Sequence, residues 1–375
     1  MKKKSIFTAI CAGGLGVVLL FDGGNLSDGI RNGLSLCSSS VIPCLFPFMA
    51  LSVFICKSTA ADFFSAAFRP ITGLLRLPQS CGGILLAAAI GGYPAAAKCI
   101  NDSVIRGGLS PKTAARMLCF CVNAGPPFLI SAVGGAMLGS AKAGLLLLAA
   151  QTASAFTVAA VTSLFAKSDS SACENTALQK SSAACVVESV VSAAESCFRM
   201  CAFIIIACGL LAICKNGYFF SHLCSSSVTK ALFFGFFEVT AGCAACGEIS
   251  GEASIITAGI ISAFSGVSVM LQVAAVTEES KVSLIPFIIS RPANAVFTAF
   301  ILKMLCSLIP ESAAAFAVRS GGINAVLSSS APVAVSLVCM AALFLLSLVP
   351  PKSECEPIAK HFWSRIKKLR QKNCG

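Results

Sequence analysis

Ile84-Leu-Leu-Ala-Ala-Ala-Ile90, Gly91-Gly92-Tyr93-Pro94, Ala95-Ala-Ala-Lys98-Cys-Ile100: this stretch decides how the chain is read. The apolar piece before the glycines is only seven residues long. At about 1.5 Å per residue it covers roughly a third of a hydrocarbon core about 30 Å thick. Cations flank the stretch at Arg76 and beyond it at Arg106, and cations accumulate on the cytoplasmic side of membranes. Both ends are then cytoplasmic, and the chain must dip in and turn back at Gly-Gly-Tyr-Pro, as a re-entrant hairpin.

Outward from this tip, the next long apolar stretch, Ala114 to Leu138, is interrupted by Asn123-Ala124-Gly125-Pro126-Pro127. Two consecutive prolines remove backbone donors and break a helix. The second half repeats the plan. Ala231 to Phe237 and Cys243 to Cys246 are short apolar pieces around Glu238-Val239-Thr240-Ala241-Gly242, and Ser254 to Ala275 is broken at Phe264-Ser265-Gly266. Pro94 and Asn123 are 29 residues apart, Thr240 and Ser265 25, so tip and break recur at similar separation. Charge places the first hairpin on the cytoplasmic side and the second outside, giving inverted repeats of the kind found in secondary transporters.

Composition agrees with a membrane chain. Hydrophobic residues make up 56% of 375 positions and charged residues 12%, with a mean hydropathy of +0.86. A soluble domain carries about 25% charged residues. The formal charge of +12 sits in short inter-span segments and in a tail whose residues Lys360 to Lys372 form an amphipathic basic helix suited to an anionic membrane surface, not to nucleic acid. The 21 cysteines lie among Ala, Val and Leu as small hydrophobes, and the lone Cys243/Cys246 pair has no second motif to complete a metal site.

The fold class expected is an all-α polytopic membrane protein with about eight transmembrane helices plus two re-entrant hairpins, in an inverted repeat with broken helices. The boundaries are an uncleaved signal-anchor helix over 1–33, a first repeat over 34–166, a hydrophilic linker over 167–196, a second repeat over 197–309, a last span over 310–349 and a basic cytoplasmic tail over 350–375.

Half-helices that end inside a membrane leave amides unpaired and aim the positive end of a dipole at the break, which attracts anions. The substrate-binding set expected on this ground is Gly92, Tyr93, Pro94, Asn123, Gly125, Glu238, Thr240, Ser265, Ser268, Gln272 and Arg291. Arg291 offers a planar fork for a carboxylate, and Glu238 can pair with it, relay a proton or hold a cation. The plainer alternatives are packing kinks at the breaks, a structural ion pair, and serines and threonines bonded to their own backbone. Lys98 and Lys303 read as snorkelling cations. No catalytic constellation, metal site, nucleotide loop or cofactor motif is present in the sequence, so an enzyme or ATP-driven pump is not expected.

The strings Gly91-Gly92-Tyr93-Pro94 with Lys98, Cys121-Val122-Asn123-Ala124-Gly125-Pro126-Pro127-Phe128, Phe237-Glu238-Val239-Thr240-Ala241-Gly242, and Phe264-Ser265-Gly266-Val267-Ser268-Val269 with Gln272 and Arg291 resemble the YlbJ (SpoVV) family of sporulation integral membrane proteins. That family belongs to the nucleoside-recognition or Gate-domain group and is similar in plan to concentrative nucleoside transporters. The resemblance covers about Leu34 to Leu308 and departs at Asn123-Ala124-Gly125-Pro126, where a more polar string is usual, and at Ser265, where glycine is. It implies export of dipicolinic acid, a small anionic solute, from the mother cell across the outer forespore membrane. The expected partners are that solute and membrane lipids, with a coupling ion and a second copy of the chain in a homo-oligomer left open and no nucleic acid, and the charge distribution places both termini in the cytoplasm. A nucleoside-type permease and a non-transporting sporulation scaffold are the alternatives.

Overall fold

The computed structural model describes residues 22–58, 60–166, 182–215 and 224–308, with Gly13 and Gly16. The described residues form helices and no strand. In chain order these are α1 Gly23–Leu36, a π-wound turn Cys37–Val41, α2 Ile42–Lys57, α3 Ala60–Ala67, α4 Arg69–Leu74, α5 Cys81–Ile105, α6 Pro111–Cys121, the π-wound α7 Pro127–Met137, α8 Ala141–Leu164, α9 Ser182–Lys215, α10 Ser227–Phe237, α11 Val239–Ala245, α12 Glu252–Phe264, α13 Gly266–Thr277 and α14 Ile285–Leu308.

Six stretches are long and apolar enough to cross a membrane: Gly23–Lys57, Cys81–Ile105, Ala141–Leu164, Cys185–Lys215, Glu252–Thr277 and Ile285–Leu308. The chain is therefore a helical, multi-pass membrane protein. The surface supports the same conclusion. On α14, Arg291, Asn294 and Thr298 are fully buried, while Ile289, Val296 and Phe300 on the opposite face are 60–70% exposed. Polar groups inward and large apolar groups outward is an arrangement that water opposes and lipid favours.

Apart from Gly13 and Gly16, the first expected span, Ser5 to Phe21, lies outside the described residues, as do the last, Ala331 to Val349, and the basic tail. Two boundaries need correction. The expected linker over 167–196 is helical from Ser182 onward, because Cys185, Ser189, Ser192 and Ala193 form a small-residue face that α9 buries, with Glu188 in an ion pair with Lys57 at 2.8 Å. The boundary at residue 33 falls inside α1, which continues without a gap into the next span and lies along α9.

Each tip stretch is a pair of helical arms joined at a turn, a hairpin in that sense, although Cys81–Ile105 is also long and apolar enough to cross a membrane. α5 is interrupted at Gly92, whose φ of 72° and ψ of −158° suit glycine alone. Its first arm, residues 81–91, runs beside the end of α6, since Leu85, Ala88 and Ala89 share a groove with Phe120, Cys121 and Asn123. Its second arm, residues 93–105, ends in the short loop that starts α6. Both ends of α5 therefore lie alongside α6, and Gly92 lies beyond the C-terminus of α6. In the second hairpin α11 folds back along α10, with Gly242 backed onto Gly235 and Ala231.

The rod formed by α12 and α13 fixes how the hairpins stand. At its start Ser254 Oγ donates to Cys246 O at the base of the second hairpin, 2.7 Å away. At its middle Ser262 meets Tyr93 of the first tip, and Gly266 meets Gly235 and Phe237 of the second. At its end Val276, Glu278 and Glu279 face Lys98, Asn101 and Asp102 on the second arm of the first hairpin. The bases thus lie at opposite ends of the rod and the tips at its centre.

Candidate functional site

A helix that stops abruptly leaves its last carbonyls without partners. α6 stops at Cys121 ahead of the loop 122–126, where Pro126 and Pro127 open α7. Its orphan carbonyls are satisfied by side chains. Asn123 Nδ2 donates to Phe120 O at 2.6 Å. Arg291 Nη2 and Asn294 Nδ2 donate to Cys119 O, and Arg291 Nη1 donates to Val122 O at 2.7 Å. Arg291 Nη1 also reaches Asn123 Oδ1 and Ser265 Oγ, each at 3.3 Å, and the guanidinium lies 4.7 Å over the Phe287 ring.

The second break is tighter. Ser265 and Gly266 both take left-handed φ, 76° and 66°, and α13 starts at once. The kink frees Ser262 O from the helical ladder, and Tyr93 Oη of the first hairpin donates to it, with Gln151 Nε2 at 3.4 Å. Each break is therefore capped from the other half of the chain: Arg291 serves the break after α6, and Tyr93 serves the break after α12.

The first tip packs on the first break. A Cβ on Gly92 would come within 2.8 Å of Gly125 N, so both positions must remain glycine for these backbones to touch. The second tip turns at Glu238, which is extended and 2% exposed, and its Oε2 accepts from Ala241 N at 2.6 Å as the N-cap of α11.

Two cavities meet here. A small one of about 30 Å³, room for roughly a single water, lies between the tips and is lined by Gly92, Tyr93, Pro94, Gly125, Glu238, Thr240 and Gln272. A vestibule of about 500 Å³ opens between the second arm of α5, α9 and α13, past Lys98, Arg199, Glu278 and Glu279. Tyr93, Pro94, Val269 and Gln272 belong to both linings and form the partition between them.

Seven of the eleven expected residues thus converge on the inter-tip cavity. Asn123 and Ser265 hold Arg291 nearby. Ser268 is 6% exposed and its Oγ has no protein partner. Arg291 requires correction as a carboxylate fork. It is fully buried, its Nη groups are engaged with carbonyls and hydroxyls, and it lines neither cavity. Glu238 and Arg291 form no ion pair, because each has a backbone terminus to cap. Lys98 faces the vestibule, 3.7 Å from Asp102, whereas Lys303 is exposed on the outer surface.

Sequence reasoning missed Gln151, Ser154 and Asn294. Ser154 Oγ donates to Asn294 Oδ1 at 3.2 Å, joining α8 to α14 beside the first break. The signal was available, since Gln151 and Asn294 are amides inside apolar spans, and such residues mark internal contacts. Met49 and Met200, which wall the inter-tip cavity, carried none.

No protein-family model matches the chain, and neither curated proteins nor solved structures give a match.

Proposed function

We propose that this protein is a secondary transporter or facilitator for a small carboxylate, with dipicolinate as the expected solute, and that the two hairpins are re-entrant, entering the membrane from opposite sides. The observation that carries the reading is the meeting of two hairpin tips with two helix breaks around a cavity that a vestibule of about 500 Å³ approaches from one side. A compact solute fits the vestibule and not the inter-tip space, as a site closed at one stage of alternating access requires.

The electrostatics support an anion at the tips. The second arm of α5, α7 and α13 all begin at this level and bring positive dipole ends to it. Arg291 neutralises the negative end of α6, and Glu238, the one acid at the tips, is turned onto the Ala241 amide at the start of α11, so the other three amide ends are left to face a solute. In this role Arg291 positions the site, and the solute meets Tyr93, Pro94, Thr240 and Gln272.

One observation favours a neutral polar solute, as in a nucleoside-type permease. Lys98 and Arg199 in the vestibule are each beside an acid of their own helix, Asp102 and Glu195, and Glu278 and Glu279 add further negative charge. The resemblance to the YlbJ family and the dipole ends weigh toward the carboxylate.

The test is uptake of labelled dipicolinate and labelled uridine into proteoliposomes containing the purified chain. The reading predicts saturable dipicolinate entry that is lost in Gln272→Ala and Glu238→Gln. Uridine entry alone would select the permease, and entry of neither would end the transport assignment.

A further inference from the structure

Away from the tips, a second groove of about 160 Å³ runs between α4, the first arm of α5, the end of α6 and α8. Its walls are mainly apolar, with Phe68, Ile71, Leu75, Leu85, Phe120 and Phe156, and its polar members are Asn123, Gln151 and Thr152. It follows α8 from Ala159 to Leu148, about 16 Å at the helical rise. Ala89 and Phe156, both in its lining, are exposed at the surface. Its inner end is Asn123 and Ala124, the loop against which the first hairpin tip rests.

The other end is cationic. Arg116 Nη1 and Nη2 donate to Leu75 O and Arg76 O at 2.7 and 2.8 Å, and Arg76 Nη1 donates to Ala166 O at 3.2 Å beyond the end of α8. A guanidinium has five N–H donors, so both retain donors after these contacts. The segments at this end, residues 60–79 and 111–121, hold Arg69, Arg76, Lys112 and Arg116 against one acid, Asp62. An apolar channel open to lipid along its side and cationic at one end matches a molecule with a long apolar chain and an anionic head.

We propose that this groove is a binding site for an anionic phospholipid, its phosphate on Arg76 and Arg116 and one acyl chain lying along α8 down to Asn123. The bound chain packs directly behind the first break and the first hairpin tip, so the lipid supports the geometry of the site from the membrane side. This inference is independent of which solute is carried.

The test is native mass spectrometry of the full-length protein, delipidated in detergent and offered equal amounts of dioleoylphosphatidylglycerol and dioleoylphosphatidylcholine. The wild type is expected to retain one phosphatidylglycerol in preference by about thirtyfold, the size of effect that two cations near an anionic headgroup confer at about fivefold each. Ala89→Trp, which fills the groove from an exposed position, removes the preference, and Arg76→Gln brings it toward parity. Ile289→Trp, on the outer face of α14, leaves it unchanged. Equal retention of the two lipids by the wild type overturns the proposal, as does an undiminished preference in Arg76→Gln, which leaves the packing intact if Ala89→Trp fails to fold.

Discussion

The two hairpin-and-break units follow one plan and hold it with different chemistry. In the first, the tip is backbone: Gly92 lies against Gly125, and no side chain could stand between them. The break beside it is a five-residue loop ending in Pro126, with Pro127 opening the next helix, and its free carbonyls are met by Arg291, Asn294 and Asn123. In the second, the tip is a side chain, Glu238 folded over the N-terminus of α11, and the break is two left-handed residues, Ser265 and Gly266. A loose break needs a buried cation, whereas a tight one is satisfied by the Tyr93 hydroxyl and the Gln151 amide. The caps cross between halves, so neither break is complete without the other repeat.

That contrast can be broken most forcefully at Arg291. Arg291→Gln leaves Cys119 and Val122 carbonyls short of charge-assisted bonds, each worth about 1.5 to 3 kcal/mol. The expected loss is about 3 to 4 kcal/mol in reversible unfolding in mixed micelles, together with loss of uptake. Gly92→Ala comes next. A Cβ at its φ of 72° meets Gly125 N at 2.8 Å, and occupying this glycine-only region costs about 1 to 3 kcal/mol by the same measurement. Tyr93→Phe should cost less, about 0.6 to 1.7 kcal/mol, the range of single interhelical hydrogen bonds in membranes, since Gln151 continues to serve Ser262 O. Ser265→Gly should be nearly silent. Relief of left-handed strain, about 1 kcal/mol, offsets the lost 3.3 Å contact with Arg291. A large loss in Ser265→Gly with little in Arg291→Gln would invert the comparison.

Much of this architecture was legible in the sequence because glycine and proline have few reasons to interrupt an apolar run. Gly91-Gly92-Tyr93-Pro94, Gly125-Pro126-Pro127 and Ser265-Gly266 each mark a place where the helical ladder fails, and each lies at a tip or a break. What could not be read is partnership. Arg291 looks, in sequence, like a free fork for a solute, and only the fold brings the α6 carbonyls to it. Glu238 likewise reads as a partner for Arg291 until the turn gives it the Ala241 amide. The helix over 182–196 was hidden because its buried face is built from serine, cysteine and alanine, which hydropathy scarcely separates from a linker.

The central claim is that both tips lie at mid-depth and the two bases at opposite membrane faces. Electron paramagnetic resonance depth measurement tests it, with a genetically encoded nitroxide placed singly at Ile90, Ile105, Phe237 or Lys230 in reconstituted vesicles, and an impermeant relaxant added on one side only. The account predicts that the labels at Ile90 and Phe237 sit deep and respond to oxygen alone, while those at Ile105 and Lys230 are shallow and respond to relaxant from opposite sides. A shallow Ile90, or Ile105 and Lys230 on the same side, would contradict it.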